Sequence, residues 1–316
     1  MADLDFTAIT THSLEGAPRL AQRTQAGRPL GPNASVSDFL DALPHVLAAD
    51  GLRALAEAIA EARRRSKPVI MQFGGHLIKC GLGSFVIDFM ERGLVTSLAV
   101  NGSVAIHDLE LAMVGATSED VAQRLEEGSF GMAREPAEFM NRAAEAGRAL
   151  GLGHAIGELI NSDGLRFGGE SVLGRAASLG RRVTVHVAIG TDVVHHHAAL
   201  NAAALGEATL TDFRHYCGAV ADLGNGGVVI NVGSAVILPE VFLKAVSISR
   251  NLGHPVQGFT AANMDMLRHY RPSENILGRP LHRGGRAIHL TGHHEIMIPL
   301  LHAMTLRAVE RGRSGL

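Results

Sequence analysis

The sequence predicts an α/β protein with a doubly wound, mostly parallel β-sheet and helices on both faces, that is, a Rossmann-like fold. Two observations predict it. Short runs rich in β-branched and apolar residues alternate with helical patterns from about residue 67 onward. Six of these runs also end at a small or polar residue and open into a stretch that carries His, Asp, Asn or Glu. Because ligands of such sheets bind outside the carboxyl ends of the strands, these six junctions are the expected site.

The predicted strands and the residues that follow them can be read in chain order. They are Val69–Phe73 before Gly74-Gly75-His76, Leu98–Val100 before Asn101-Gly102-Ser103, Val183–Ile189 before Gly190-Thr191-Asp192, Val228–Val232 before Gly233-Ser234, Val256–Phe259 before Thr260-Ala261-Ala262-Asn263, and Ala287–Leu290 before Thr291-Gly292-His293-His294-Glu295.

Helical periodicity predicts the elements between the strands, at about 82–92, 104–114, 118–127, 136–150, 211–223, 239–252 and 295–311. Between Gly151 and Gly180, eight glycines predict a loop-rich insertion with only short helices, a segment suited to covering a cofactor.

The amino-terminal part has a different pattern. Residues 1–34 are interrupted by Gly and Pro and lack apolar periodicity, which predicts an extended arm. Ser35 or Ser37 is a good cap for a helix that runs to about Leu47, and Asp50 is a good cap for the next helix. We therefore expect residues 1–66 to be an arm with helices that packs on the core or on a neighbouring subunit, and residues 67–316 to be the α/β core.

Composition excludes several classes of function. The formal net charge is −2, aromatic residues make up 4% and Trp is absent, so the chain lacks the basic and stacking surfaces of a nucleic-acid binder. Two cysteines are too few for a disulfide framework. The start of the chain is acidic, and no run approaches the ~20 apolar residues that span a bilayer. These features predict a cytoplasmic protein with a small-molecule ligand and no membrane contact.

Histidine is abundant, with 17 residues, and several histidines fall at or just after predicted strand ends. Imidazole transfers protons near neutral pH and also binds metals, so two interpretations are open. One is a general base among acids at the same edge. The other is a divalent-metal site that activates water for hydrolysis. Its candidate ligands are His76, His107, His195, His197 and His293.

Several segments resemble the deoxyhypusine synthase family, in the same order along the chain from about Pro68 to Ile298. Gly74-Gly75-His76-Leu77-Ile78-Lys79-Cys80-Gly81-Leu82 is similar to the family's Thr-Ser-Asn-Leu-Ile-Ser-Ser-Gly-Leu. Gly190-Thr191-Asp192 resembles its Leu-Thr-Asp-Gly turn, and Gly233-Ser234-Ala235 stands where the family has three glycines. Thr260-Ala261-Ala262 resembles its Asn-Thr-Ala segment, and Thr291–Glu295 its Ser-Gly-Ala-Arg-Pro-Asp-Glu segment.

Family members are tetramers that use NAD to transfer an aminobutyl group from spermidine to a protein lysine. The resemblance implies the fold, a homotetramer, and an NAD site. It places the cofactor near Gly74, Gly75, His76, Asn101, Gly102, Ser103, Gly233, Ser234 and Thr260. In this interpretation Asp192, His195 and Glu295 bind the substrate. His107, Asp108 or His293 supplies the general base, since imidazole transfers protons near neutral pH.

The chain departs from the family at the positions that matter for its reaction. Ile298-Pro299-Leu300-Leu301 stands where the family has the Trp-Gly-Lys whose lysine forms an imine, and Leu238-Pro239-Glu240-Val241 replaces a Pro-Lys-His-His segment. The sequence therefore predicts a divergent enzyme, a transferase or oxidoreductase that uses NAD on a small amine or amino-acid-like substrate, rather than deoxyhypusine synthesis. The alternatives are the metal-dependent hydrolase and a non-catalytic ligand-binding protein.

Overall fold

The computed structural model describes residues 3–314. It contains two compact units, Met1–Asp50 and Gly51–Leu316. In the first unit, residues 3–34 contain only single 3-10 turns at Phe6–Ala8 and Arg23–Gln25. Helix α1, Val36–Ala42, begins with the predicted Ser35 cap, where the hydroxyl accepts a hydrogen bond from the Asp38 N–H at 3.2 Å. It ends earlier than predicted because the residue before Pro44 disfavours the helical conformation.

Six parallel strands form the sheet of the second unit, in the order β3-β2-β1-β4-β5-β6. This is the doubly wound order, so the predicted fold class is confirmed. The strands are β1 Val69–Phe73, β2 Ser97–Asn101, β3 Arg182–His186, β4 Val228–Val232, β5 Phe259–Asp265 and β6 Gly285–Thr291.

Helices cover both faces of this sheet. They are α2 Leu47–Arg64, α3 His76–Lys79, α4 Gly83–Glu91, α5 Gly102–Val114, α6 Val121–Glu126, α7 Arg134–Leu150, α8 Leu152–Ser162, α9 Val172–Ser178, α10 Ala202–Ala221, α11 Ile237–Asn251, α12 Tyr270–Pro272 and α13 His294–Ser314. A π-helical turn, Ser273–Gly278, follows α12. Within residues 3–314, every helix is too short or too polar to cross a membrane.

The prediction of a loop-rich insertion between Gly151 and Gly180 is wrong, because most of this segment is helical. Its first part is α8, an 11-residue helix that packs against β3. A Cβ on Gly153 would lie 2.4 Å from the Val183 carbonyl oxygen, and one on Gly157 would lie 2.5 Å from the Leu173 carbonyl oxygen. These glycines therefore permit close packing of a core helix rather than forming a loop.

Several further boundaries differ from the prediction. Strand β3 ends at His186 instead of Ile189, and α2 begins at Leu47, so Asp50 lies in its first turn and does not cap it. Val256–Phe259 was expected to be a strand, but β5 begins at Phe259 and continues through Asn263 to Asp265. Helix α10 begins at Ala202 instead of about residue 211, because the Asn201 side chain caps it by accepting a hydrogen bond from the Ala204 N–H at 3.0 Å.

Candidate active site

Three glycines bring the strand ends together at the centre of the carboxyl edge. β1 and β4 are neighbours in the sheet but lead to opposite sides of it, so the edge between them is the topological switch point. A Cβ on Gly74 would lie 2.8 Å from the Gly233 carbonyl oxygen, and one on Gly75 would lie 2.2 Å from the Ser103 Oγ. A Cβ on Gly233 would lie 2.6 Å from His294 Nε2. Only glycine allows these loops to approach so closely.

A cavity of about 210 Å³ lies on the β2–β3 side of this switch point. Three of the predicted site residues, Ser103, His107 and Asp192, line it together. Lys79 adds a cation, and Glu110 and Glu119 add two further acids to its lining. Sites for drug-sized ligands measure roughly 300–1,000 Å³, so this cavity suits a smaller molecule, of amino-acid size.

His107 is held in a defined orientation by two residues of its own helix and the following loop. Its Nδ1 lies 2.7 Å from Thr117 Oγ1, and the Thr117 hydroxyl donates to Glu110 Oε2. Because that hydroxyl has one proton and gives it to Glu110, the Thr117 oxygen must accept from His107. The neutral His107 ring therefore carries its proton on Nδ1 and leaves Nε2 free to accept a proton.

Glu110 supports this arrangement electrostatically. Its Oε2 lies 3.6 Å from His107 Nδ1. Burial acts to raise the pKa of Glu110, but His107 and the hydrogen bond from Thr117 outweigh it and hold the pKa below its usual range. A charged carboxylate beside Nδ1 stabilises the imidazolium that forms when Nε2 takes a proton.

Asp192 faces the same cavity from the loop after β3. A Cβ on Gly102, the first residue of α5, would lie 2.1 Å from Asp192 Oδ2, so the carboxylate rests at this helix N-terminus. His195 Nδ1 accepts hydrogen bonds from the N–H groups of Gly190 and Asp192 at 3.1 and 3.2 Å. His195 Nε2 therefore carries the ring proton and lies 3.9 Å from Asp192 Oδ2. Burial raises the pKa of Asp192, while His195 and His107 act to lower it.

Asp108 does not face the cavity, although it follows His107 directly. It is 2% exposed, and its carboxylate accepts hydrogen bonds from the Ser171 Oγ at 2.5 Å and from the N–H groups of Val172 and Leu173 at 2.8 and 3.0 Å. The side chain thereby holds the start of α9. Its geometry is that of a structural acid rather than a base that meets a substrate.

His76, His293 and Glu295 lie at the edge but outside this cavity. His76 is exposed, with Nε2 3.4 Å from Cys80 Sγ. His293 Nδ1 lies 3.8 Å from Glu295 Oε1, and the two side chains are 66% and 51% exposed. Asp192 and Glu295, both predicted to hold the substrate, do not share the cavity.

Three other predicted site residues, Thr260, Ser234 and His197, also do not line the β2–β3 cavity. Thr260 pairs with Val228 at the amino end of the strands, so it faces away from the site edge; the expectation arose from the misplaced β5. Ser234 is buried and its Oγ accepts a hydrogen bond from the Leu238 N–H at 3.3 Å near the start of α11. His197 Nε2 lies 3.1 Å from the Gly131 carbonyl oxygen.

The five histidines of the metal alternative are thus distributed over several sites. Among residues 3–314, no three His, Cys, Asp or Glu side chains lie together as a metal ion would require. Sequence reasoning gave Lys79, Glu110 and Thr117 no role of their own. Lys79 and Thr117 come near His107 through the position of α3 and the turn after α5. Glu110 lies three residues after His107 on α5, a helical spacing that could have identified it.

No family model and no curated protein matches this sequence. Among solved structures, unliganded AgrE is similar over 84% of this chain and 34% of its own, with 14% identity and a TM-score of 0.54. AgrE in complex with ornithine and NAD+ is similar over 87% of this chain and 35% of its own, with 12% identity and a TM-score of 0.53. The chain therefore spans about a third of AgrE.

Two further structures are similar over most of their length. A LOR/SDH protein of Methanococcus maripaludis S2 is 16% identical over 81% of this chain and 69% of its own, with a TM-score of 0.51. A protein assigned as a deoxyhypusine synthase of Entamoeba histolytica is 10% identical over 89% of this chain and 96% of its own, with a TM-score of 0.52. At these identities the comparisons confirm the predicted likeness to deoxyhypusine synthase for the fold.

Proposed function

We propose that this protein is an enzyme that uses an NAD-type cofactor on a small amino-acid-like amine bound in the β2–β3 cavity. The observation that carries the proposal is the meeting of His107, its Nε2 free to accept a proton, with Asp192 in one cavity of amino-acid size. The fold likeness to a protein crystallised with ornithine and NAD+ supports the choice of ligands.

The charges of the cavity suit a zwitterion. Asp192 offers a carboxylate to the cationic end of the substrate, and Lys79 offers an ammonium group to a carboxylate. His107 Nε2 takes a proton from the substrate nitrogen, and Glu110 stabilises the resulting imidazolium through Thr117.

The residues of the carboxyl edge fit an NAD-type cofactor in two respects. The switch point is the place where doubly wound sheets bind dinucleotides. Buried polar atoms without partners lie beside it, at the ends of β5 and β6, as polar groups of a ligand site would. Such a cofactor supplies the oxidation of a carbon that bears nitrogen. Gly74, Gly75 and Gly233 let the loops that border the switch point pack closely, since a Cβ at each would collide with a neighbouring residue.

The test is calorimetric titration of NAD+ into the purified full chain, followed by L-ornithine into the protein with NAD+. We expect micromolar NAD+ binding, and ornithine binding that Asp192→Asn weakens about 10- to 100-fold, since hydrogen bonds to charged groups contribute ~1.5–3 kcal/mol. Asp222→Asn, an exposed acid at the end of α10, is the matched control. Absence of NAD+ binding up to millimolar concentration would refute the proposal. Binding of both ligands without turnover would identify the non-catalytic alternative.

We also propose that residues 1–66 join copies of the chain into a homo-oligomer, a tetramer in the simplest case. The side chains of Phe6 and Leu20 are 74% and 102% exposed in the arm of the single chain. Burying them on a second copy would remove this apolar surface from water. Sedimentation equilibrium should show a tetramer that Phe6→Ser with Leu20→Ser dissociates; a monomeric wild-type protein would contradict this.

A further inference from the structure

One continuous segment forms a whole side of the β2–β3 cavity. It is residues 118–131, which we call the strap, and it lies between α5 and α7 and contains α6. Its residues in the cavity lining are Ser118, Glu119, Val121, Phe130 and Gly131. The facing side holds Lys79, His107 and Asp192. Because every residue of α6 is exposed, the strap has the cavity on one side and solvent on the other.

The strap is joined to itself at its ends. Glu119 Oε2 accepts a hydrogen bond from the Gly131 N–H at 3.2 Å. Within the strap, Asp120 Oδ1 caps α6 by accepting from the Gln123 N–H at 3.3 Å. Surface segments with joined ends and internal contacts are Ω-loops, which are compact units and frequently functional. The strap can therefore move as one body.

The first end of the strap has the features of a hinge. Ser118 has a left-handed backbone, with φ of 70°, although it is not glycine. Such strained residues persist where the surrounding structure holds them, and they cluster at switch regions. Since α6 buries none of its residues, the middle of the strap adds little to its attachment. Segments with few buried contacts are those that open locally.

Two histidines hold the second end of the strap. His196 Nε2 and His197 Nε2 lie 2.9 and 3.1 Å from the Gly131 carbonyl oxygen. Because a carbonyl oxygen only accepts and has two lone pairs, both rings donate to it. The two rings are stacked, with centroids 5.4 Å apart. A Cβ on Gly131 would lie 2.6 Å from Val193 Cβ, so glycine permits this approach. We call the contact of Gly131 with these histidines the latch.

We infer that the strap is a gate of the β2–β3 cavity, which opens about Ser118 and which His196 and His197 hold closed through the Gly131 carbonyl. The latch belongs to the 3-10 turn Val193–His196 that directly follows Asp192, so the gate is attached beside a cavity acid. Closure would exclude water from the cavity where His107 Nε2 accepts a proton. The gate is a property of the cavity itself, and only its role in admitting the substrate rests on the proposed function.

The test compares the full chain with its His196→Ala/His197→Ala variant in the absence of ligands. Mass spectrometry reads both hydrogen–deuterium exchange and the reaction of histidines with diethyl pyrocarbonate. We expect strap peptides to exchange about 10- to 100-fold faster in the variant, the effect of losing two hydrogen bonds. His107, whose side chain is 17% exposed, should react several-fold faster. The exposed His254 is the internal reference and should react at an unchanged rate.

Two glycines of the strap provide a matched pair that leaves the histidines intact. Gly128 and Gly131 both have left-handed backbones, with φ of 68° and 73°, so alanine is strained at both. An added Cβ collides with Val193 at Gly131 and meets nothing within 4 Å at Gly128. We expect Gly131→Ala to speed the reaction of His107 as much as the double histidine variant does, and Gly128→Ala to speed it much less.

Three results would overturn the inference. Equal strap exchange in wild type and the double histidine variant would show that the latch does not hold the strap. Faster strap exchange with unchanged labelling of His107 would show that the strap does not close the cavity. Equal effects of Gly131→Ala and Gly128→Ala would assign the opening to backbone strain instead of the latch.

These measurements use no substrate, so the gate and the proposed function can fail separately. If L-ornithine binds the protein with NAD+, the double histidine variant should raise its association and dissociation rates together, with nearly unchanged affinity, because a gate changes the path and not the bound state. Unchanged rates would overturn the gate for this substrate. If L-ornithine does not bind, the proposed function fails, and the labelling of His107 still decides the gate.

Discussion

The two halves of the carboxyl edge belong to one parallel sheet, but their polar side chains differ in hydrogen bonding. On the β2–β3 side, the Thr117 hydroxyl joins His107 to Glu110, and His195 stands beside Asp192. On the β5–β6 side, Asp265 Oδ2 and both nitrogens of His294 are buried without partners. The first half holds its groups in defined orientations, whereas the second leaves buried polar atoms without hydrogen-bond partners.

The glycines between the halves connect them. Gly75 lies against Ser103 and 3.0 Å from His107 Cδ2, Gly74 lies against Gly233, and Gly233 lies against His294, each measured from an added Cβ. A ligand that crosses the switch point would therefore contact both halves. The comparison teaches that the same strand edge can orient a histidine for proton transfer at one end and leave its polar groups unpaired at the other.

The largest expected effect concerns Asp212, which holds together the helices and the strand that support the β2–β3 half. Asp212 Oδ2 accepts hydrogen bonds from the N–H groups of Gly153 and Val185, which joins α10 to α8 and β3. Burial raises the pKa of Asp212 to about 7 against these N–H donors, whereas an unfolded Asp has a pKa of about 3.9. The native state therefore binds the proton more tightly than the unfolded state, and this carboxyl makes stability fall as pH rises from about 4 to 7.

The difference between those two pKa values corresponds to about 4 kcal/mol in the free energy of unfolding. Urea unfolding of wild type and Asp212→Asn at several pH values in this window measures it. We expect the wild type to lose stability relative to Asp212→Asn as pH rises. Parallel stability curves for the two proteins would contradict the prediction.

The next effect comes from Gly102, the residue of the β2–β3 half against which the Asp192 carboxylate rests. Gly102→Ala places a Cβ 2.1 Å from Asp192 Oδ2, so the carboxylate must leave its position over the cavity. We expect the affinity for L-ornithine in the presence of NAD+ to fall about 100-fold, near the upper range for a charged hydrogen bond. Gly206→Ala in α10, where an added Cβ meets nothing within 4 Å, is the control. Unchanged ornithine affinity in Gly102→Ala would remove Asp192 from the substrate site.

A smaller effect tests whether Asp108 has a structural role, in contrast to its neighbour His107, to which we assign proton transfer. Asp108→Asn retains one acceptor oxygen where the carboxylate accepts three hydrogen bonds. We expect a loss of about 2 kcal/mol in stability and a fall in Tm of roughly 4–8 °C, measured by calorimetry. NAD+ and ornithine affinities should not change. A loss of affinity without a fall in Tm would return Asp108 to the active site.

The smallest effect concerns the orientation of His107. Thr117→Val removes the oxygen that accepts from His107 Nδ1–H. Nitrogen NMR of the imidazole should show the proton on Nδ1 in wild type and a mixture of tautomers in the variant, with turnover about 10-fold lower, within the range of general-base effects. An unchanged tautomer would show that Thr117 does not position His107.

The sheet was predictable because strands buried on both faces are near-continuous apolar runs, as in Val228–Val232. β5 was misplaced for the opposite reason: it carries Asn263 and Asp265, which look like loop residues in sequence. Asn263 is stable in a strand because its oxygen accepts from Asn231 across the sheet, a contact between residues far apart in sequence.

The site was predictable only in part. His107 and Asp192 follow strand ends, where the topology places ligands, so their residue types were informative. The burial of Asp108 depends on α9, more than 60 residues later in the chain. The position of Lys79 in the cavity wall, the contact of Thr117 with His107 and the unpartnered state of His294 depend on tertiary packing that no local pattern records.

Hydrogen–deuterium exchange with and without NAD+ tests most directly whether the two halves form one ligand site. We predict that NAD+ slows exchange in peptides that contain residues 74–76 and 101–103 and also in peptides that contain residues 263–266 and 291–295. The amino ends of the strands, including Thr260, should exchange at unchanged rates. Protection confined to one half, or absent from both, would contradict the account.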